Sequence, residues 1–111
     1  MHNIERSGEN LIVRISGELD HHTSRTLRKE TDKSLTDDIK NIIFDFTSLI
    51  FMDSSGIGFL MARYKKISEK GGVAVIVSPT PQVKRILEMS GIMTIIKIAP
   101  DMKKALKITK R

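Results

Sequence analysis

Two short runs of nearly unbroken apolar, β-branched residues constrain this chain more than anything else in it. Residues 41–46 (Asn-Ile-Ile-Phe-Asp-Phe) and 73–77 (Val-Ala-Val-Ile-Val) are short and fail to alternate apolar with polar. Such runs suit strands buried on both faces, as in the middle of a parallel sheet covered by helices. Helical patterns follow each of them. Ile57, Leu60, Met61, Tyr64 and Ile67 share one face at helical spacing and precede Gly71-Gly72, a natural stop. Thr80-Pro81 reads as the cap and first residue of a helix with Val83, Ile86 and Leu87 as its buried stripe and Gly91 as its end. A mostly polar helix over residues 23–35 turns Leu27 and Leu35 inward, and a last one over residues 101–109 buries Met102, Ala105 and Leu106.

Upstream, residues 11–15 alternate around Arg14, and Ser7-Gly8-Glu9-Asn10 is turn-like after a short polar strand that includes His2. This is an N-terminal hairpin. Residues 94–98 give a weaker fifth strand. The sequence therefore predicts an α/β fold: a single domain over residues 1–111 with a mixed, mostly parallel sheet of about five strands, an antiparallel N-terminal hairpin and about four helices. The turns over residues 17–23, 49–56 and 78–81 should meet along the carboxyl ends of the strands, where ligands and partners usually act.

Several chemistries are argued against by composition. The chain has no cysteine, which removes disulfides, thiol catalysis and cysteine-ligated zinc. Its histidines, His2, His21 and His22, lack metal-ligand spacing, so no metal is expected. No apolar run is long enough to span a membrane and the first residues lack a signal peptide's apolar stretch, which predicts a cytoplasmic protein with no membrane partner. The net charge of +6 invites a nucleic-acid reading, but Lys29, Lys33, Lys40, Lys65, Lys66, Lys84, Arg85 and the group at residues 103–111 are dispersed. Only Tyr64 and four phenylalanines could stack on bases, so no direct nucleic-acid partner is expected.

The segment 51–58 (Phe-Met-Asp-Ser-Ser-Gly-Ile-Gly) leads straight into the clearest helix and is oddly built. Two glycines in its opening turns cost about 1 kcal/mol each relative to alanine, which points to close backbone approach. Ser54 or Ser55 falls where an N-cap belongs, with the amides of Gly56 and Ile57 pointing outward at the positive end of the helix dipole. A phosphate on Ser54 would add about two negative charges there, compatible with the fold while altering the surface a partner meets. From the residues alone, Asp53, Ser54 and Ser55 could equally be mere caps. The segment is neither a Gly-x-Ser-x-Gly elbow nor a phosphate-binding P-loop, and His21 and His22 come with no oxyanion loop.

Four stretches together carry a resemblance: residues 51–58, Gly17-Glu18-Leu19-Asp20-His21-His22-Thr23, Arg63-Tyr64-Lys65-Lys66-Ile67 and residues 83–91 (Val-Lys-Arg-Ile-Leu-Glu-Met-Ser-Gly). The chain resembles the anti-sigma factor antagonists of endospore-forming bacteria, those of the sulfate transporter and anti-sigma factor antagonist (STAS) domain superfamily, and most of all the antagonists of the anti-sigma-F factor. The resemblance implies a mixed sheet flanked by helices and a protein that is no enzyme. It implies that the unphosphorylated form binds an anti-sigma factor that is itself a serine kinase, freeing the sporulation sigma factor F. Phosphorylation on Ser54 would switch it off, and a metal-dependent serine phosphatase would reverse the modification. It further implies partner contacts from Asp20, His22, Thr23, Asp53, Ser54, Ser55 and Gly56, with Asp20 orienting the serine or the kinase contact. A cap of the first helix is the simpler role for Asp20. No nucleotide motif is present, and no cofactor is expected. The rival readings are an antagonist in a general-stress or other sigma pathway and a small nucleotide-handling or hydrolytic enzyme using Asp20, His22 and Ser54.

Overall fold

Alternate residues of the central strands pack on opposite faces of one sheet, which explains why those runs are apolar throughout. In the computed structural model, which describes residues 2–110, the elements are β1 (His2–Ser7), β2 (Asn10–Ile15), β3 (Gly17–Leu19), α1 (His21–Ser34), β4 (Asn41–Asp45) and β5 (Leu49–Met52). They continue with α2 (Ser54–Glu69), β6 (Ala74–Val77), α3 (Pro81–Ser90), a 3-10 turn (Ile92–Thr94), β7 (Lys97–Ala99) and α4 (Met102–Lys110). Leu11, Val13, Ile15, Ile42, Phe44, Ala74 and Ile76 face the larger core, with Leu27 of α1, Phe59, Leu60 and Ile67 of α2, and Val83 and Leu87 of α3. Ile12, Ile43, Val75, Val77 and Ala99 face the other way, against Ala105 of α4. A sheet covered on both sides needs no polar alternation.

The five-stranded sheet runs β1-β2-β4-β6-β7, with β1 antiparallel to β2 and every other pair parallel. This is the predicted mixed sheet with its hairpin at one edge. Pairing of Ser7 with Asn10 leaves a two-residue turn, and Gly8 takes the left-handed φ of 61° that such a turn requires.

Some predicted boundaries move. The stretch 17–19 and 49–52, placed in loops from sequence, forms a separate two-stranded parallel sheet, β3-β5. Three and four residues are too few for a period to show, although the run Leu49-Ile50-Phe51-Met52 is wholly apolar and its end residues are buried. The fifth strand begins three residues later than predicted, because residues 92–94 wind into the 3-10 turn and Ile96 drops into the larger core before β7 starts. Helix α1 starts at His21 instead of residue 23 and Leu35 is only partly buried behind it. Asp101 stands outside α4 as its cap, its carboxylate accepting from the amide of Lys104 at 2.8 Å. Met102 and Leu106 are half-buried, while Ala105 and Thr109 are the buried residues of that helix.

One buried polar side chain ties the far end of the sheet together. Asn41 opens β4, accepts from the amide of Val73 at 3.0 Å and donates to Asn10 Oδ1 at 3.0 Å and to the carbonyl of Thr109 at 3.5 Å. It thus bridges the strand on each side and the end of α4. Replacing it by alanine takes the acceptor from the half-buried Val73 N–H and removes the bonds to Asn10 and Thr109, so Asn41→Ala should lose about 1–3 kcal/mol, read as a lower urea midpoint at unchanged slope.

Candidate functional site

The two chain segments that resemble each other in course, though not in sequence, end at the same rim. Each runs strand, bend, short strand, aspartate, helix. β2 leads through Gly17, whose φ is 81°, into β3 and α1; β4 leads through residues 46–48 into β5 and α2. β2 pairs with β4 and, past the bends, β3 pairs with β5, with Gly17 N–H bonded to the carbonyl of Ser48 at 3.0 Å. Leu19 and Met52 are register partners, so the next residues, Asp20 and Asp53, begin neighbouring helices side by side. The amide of Asp53 closes the junction by donating to the carbonyl of Leu19 at 3.3 Å.

Both aspartates cap in almost the same backbone conformation, φ −114°, ψ −170° at Asp20 and φ −116°, ψ −167° at Asp53. Asp20 forms a reciprocal box with Thr23: its carboxylate accepts from the Thr23 amide at 2.9 Å, and its own amide donates to Thr23 Oγ1 at 2.9 Å. The Thr23 hydroxyl also donates to the carbonyl of Glu18 at 2.9 Å. The Thr23 amide, then the Thr23 hydroxyl and nearby His22, hold the Asp20 carboxyl below the ordinary carboxylate range against an opposing contribution from partial burial. Its support for α1 is therefore in place at neutral pH and fades as the pH falls through that lowered value. The cap role considered for Asp20 is real.

At α2 the cap differs from the sequence expectation. Asp53, not Ser54 or Ser55, is the N-cap, accepting from the amides of Ser55 at 2.8 Å and Gly56 at 3.4 Å. Its own carbonyl takes Gly56 N–H at 3.0 Å and Ile57 N–H at 3.3 Å. The amides expected to point outward are therefore occupied, that of Gly56 by both the carboxylate and the carbonyl of Asp53 and that of Ile57 by the carbonyl alone. Ser54 becomes the first helical residue, exposed, with its hydroxyl in no hydrogen bond among the described residues. Ser55 is half-buried.

The two glycines also part company. A Cβ on Gly56 would stand 2.7 Å from Met52 Cε, 3.0 Å from the carbonyl oxygen of Leu19 and 3.2 Å from Leu19 Cγ, so this position has the close approach that was predicted. Gly58 has none: a Cβ there would meet nothing within 4 Å. It lies on an open wall of a groove between α1 and α2, shared with His21, Ser24, Arg25, Ser55 and Arg63.

Of the seven residues singled out for partner contact, Asp20, Thr23, Asp53, Ser54, Ser55 and Gly56 gather around the paired helix starts. His22, which also acts on the Asp20 carboxyl, lines a depression with His2, Glu18, Thr23 and Leu27 on the other side of α1 from the groove. His21 is the histidine that shares the groove with Ser55. Adjacent helical residues differ by about 100° in direction, so the two diverge from one helix start. Arg63, quoted from the sequence only as part of a resembling stretch and given no role there, sits on the inner side of the helix. Gly56→Ala should cost about 1–3 kcal/mol by overpacking. Gly58→Ala should instead gain about 0.5–1 kcal/mol by helix propensity, with thermal unfolding of the two variants moving in opposite directions from wild type.

The STAS domain model matches residues 2–105. An anti-sigma F factor antagonist of Paenibacillus polymyxa is 45% identical over 74 residues, covering 66% of this chain and 63% of that protein, so the match spans under two thirds of the relative's own length. In structure, the anti-sigma factor antagonist SpoIIAA in its unphosphorylated form superposes with a TM-score of 0.87 at 27% identity, over 99% of this chain and 96% of that one. SpoIIAA in its phosphorylated form, described as a Bacillus cell fate determinant, gives 0.77 at 25% identity, over 97% and 99%. With the family model extending over nearly all of the described residues and the sheet order and paired helix starts in place, the chain belongs to the STAS domain family.

Proposed function

We propose that this protein is an anti-sigma factor antagonist whose rim of paired helix starts docks on an anti-sigma factor serine kinase and is switched off by phosphorylation of Ser54. The observation that carries this reading is the state of Ser54: exposed, first in α2, and with a hydroxyl that no side chain among the described residues hydrogen-bonds. Such a hydroxyl is accessible to a kinase and is not activated as a nucleophile, which favours a binding module over a hydrolytic enzyme. The relatives named as anti-sigma F factor antagonists, and a similar protein solved in both unphosphorylated and phosphorylated forms, support it.

The cap at Asp53 supplies the physics of the switch. Because its carboxylate already holds the amides of Ser55 and Gly56, a phosphoryl group on Ser54 meets a negative neighbour where those two donors are already taken. About two further charges beside Asp53 would remain presented to a partner, adding repulsion and desolvation cost to the contact. Asp20, one strand away, sets the negative background of the same rim. A serine phosphatase returns the face to its binding state, and the sigma factor released is the sporulation factor F. Among the described residues no helix is long and apolar enough to cross a membrane; the proposed role places the protein in the cytoplasm with its partner.

With the host's anti-sigma factor kinase and ATP, one phosphate per chain should appear on Ser54 by mass mapping. Ser54→Ala removes no capping contact, so its stability should stay within about 0.5 kcal/mol of wild type, and it should bind the kinase without being modified. Ser54→Asp should fold and bind far more weakly. Phosphate on Ser55 or Thr47 with Ser54 bare, or undiminished binding by Ser54→Asp, would overturn the mechanism.

A further inference from the structure

The groove between α1 and α2 holds a cation that the fold leaves incompletely paired. Arg63 projects from α2 with only 3% of its side chain exposed, and its Nε and Nη1 are buried without a hydrogen-bond acceptor. The carboxylate paired with it among the described residues, Asp32 Oδ1, lies 3.2 Å from Nε and is shared with Lys66 Nζ at 3.1 Å. Phe59 lies beneath, with the guanidinium carbon 5.1 Å from the ring centroid. Burial is the main influence working against the charge on Arg63; Asp32 favours it and Arg28 opposes it further. A guanidinium nonetheless keeps its proton in proteins, so the group remains a cation in need of anionic contact.

Two more guanidiniums share the groove. Arg25 and Arg28 lie on α1, exposed, and neither forms an ion pair among the described residues. The groove encloses about 260 Å³, ample for a small ion, with Ser55 and Gly58 at its α2 side. Three guanidiniums drawn from two helices suit a ligand that accepts hydrogen bonds on several sides. A tetrahedral oxyanion does this; a planar carboxylate, with two oxygens, satisfies fewer of them.

We propose that this groove is a binding site for a tetrahedral oxyanion of the phosphate class, free or as a phosphomonoester, held by buried Arg63 and by Arg25 and Arg28. The site is separate from the exposed Ser54 hydroxyl and does not depend on the switch mechanism above. Occupancy would neutralise the charge between the helices and join α1 to α2 below the rim.

Titration of the full chain with inorganic phosphate, O-phosphoserine and acetate, followed by calorimetry and amide chemical shifts at constant ionic strength, tests the site. Phosphate should give saturable shifts at Arg25, Arg28, Ser55, Gly58 and Arg63. Arg25→Gln with Arg28→Gln, both exposed and safe for the fold, should weaken binding about tenfold or more. Arg63→Lys, which keeps a charge beside Asp32 and loses the planar fork, should weaken it as well. Lys103→Gln with Lys107→Gln, on the remote face of α4, should leave it unchanged, as should Ser54→Ala. Binding of both phosphate and O-phosphoserine identifies a monoester site, and binding of phosphate alone a free-ion site. A response that fails to saturate, that acetate matches, or that survives the Arg25/Arg28 double change overturns the proposal.

Discussion

The pairing of Leu19 with Met52, closed by the hydrogen bond from the Asp53 amide to the Leu19 carbonyl, is the constraint on which the site depends. It brings two strand ends that are distant in sequence to one level. Each strand is followed at once by a capping aspartate, so two helices must start side by side. The absence of a side chain at Gly56 lets α2 sit hard against that junction. Everything at the rim follows from these few contacts: the exposure of Ser54, the nearness of Asp20 and the line of the groove between the helices.

The sheet was readable from the sequence because burial on both faces leaves an unmistakable apolar signature, as residues 41–46 and 73–77 show. The hairpin was readable because Gly8 and its neighbours specify a tight turn. The paired short strands were not, since three residues at 17–19 and four at 49–52 cannot display a period, and Gly17 reads locally as a break. At the site, the motif around Ser54 located the right helix start, but local preference could not rank Asp53 above two serines as the cap. That ranking is decided by a backbone position fixed through the bond to Leu19. Likewise, close approach explains Gly56 and fails for Gly58, a difference that depends on which side of α2 faces Leu19 and Met52.

Charge is distributed in a way that net composition conceals. The basic total of +6 includes Arg63, buried beside Asp32 and Phe59, whereas the rim itself presents two carboxylates. Acidic groups mark the upper edge of the two helices and guanidiniums the groove below. A partner approaching the rim therefore meets a change of sign within a short distance, and a single number for the whole chain says little about either surface.

The hairpin at the sheet edge also bears on how the molecule assembles. β1 and β2 are joined by a two-residue turn, so their pairing requires almost no loop closure and suits formation on the microsecond scale of isolated hairpins, about 1–10 μs. Every parallel pair must instead wait for a helix-length crossover to be brought back, a slower search through non-local contacts. The junction of β3 with β5, three register pairs long like that of β6 with β7 and outside the five-stranded sheet, has few bonds with which to repay closure. It is placed to form late in folding and to open early in native-state fluctuations, giving the rim a local stability below that of the sheet it extends.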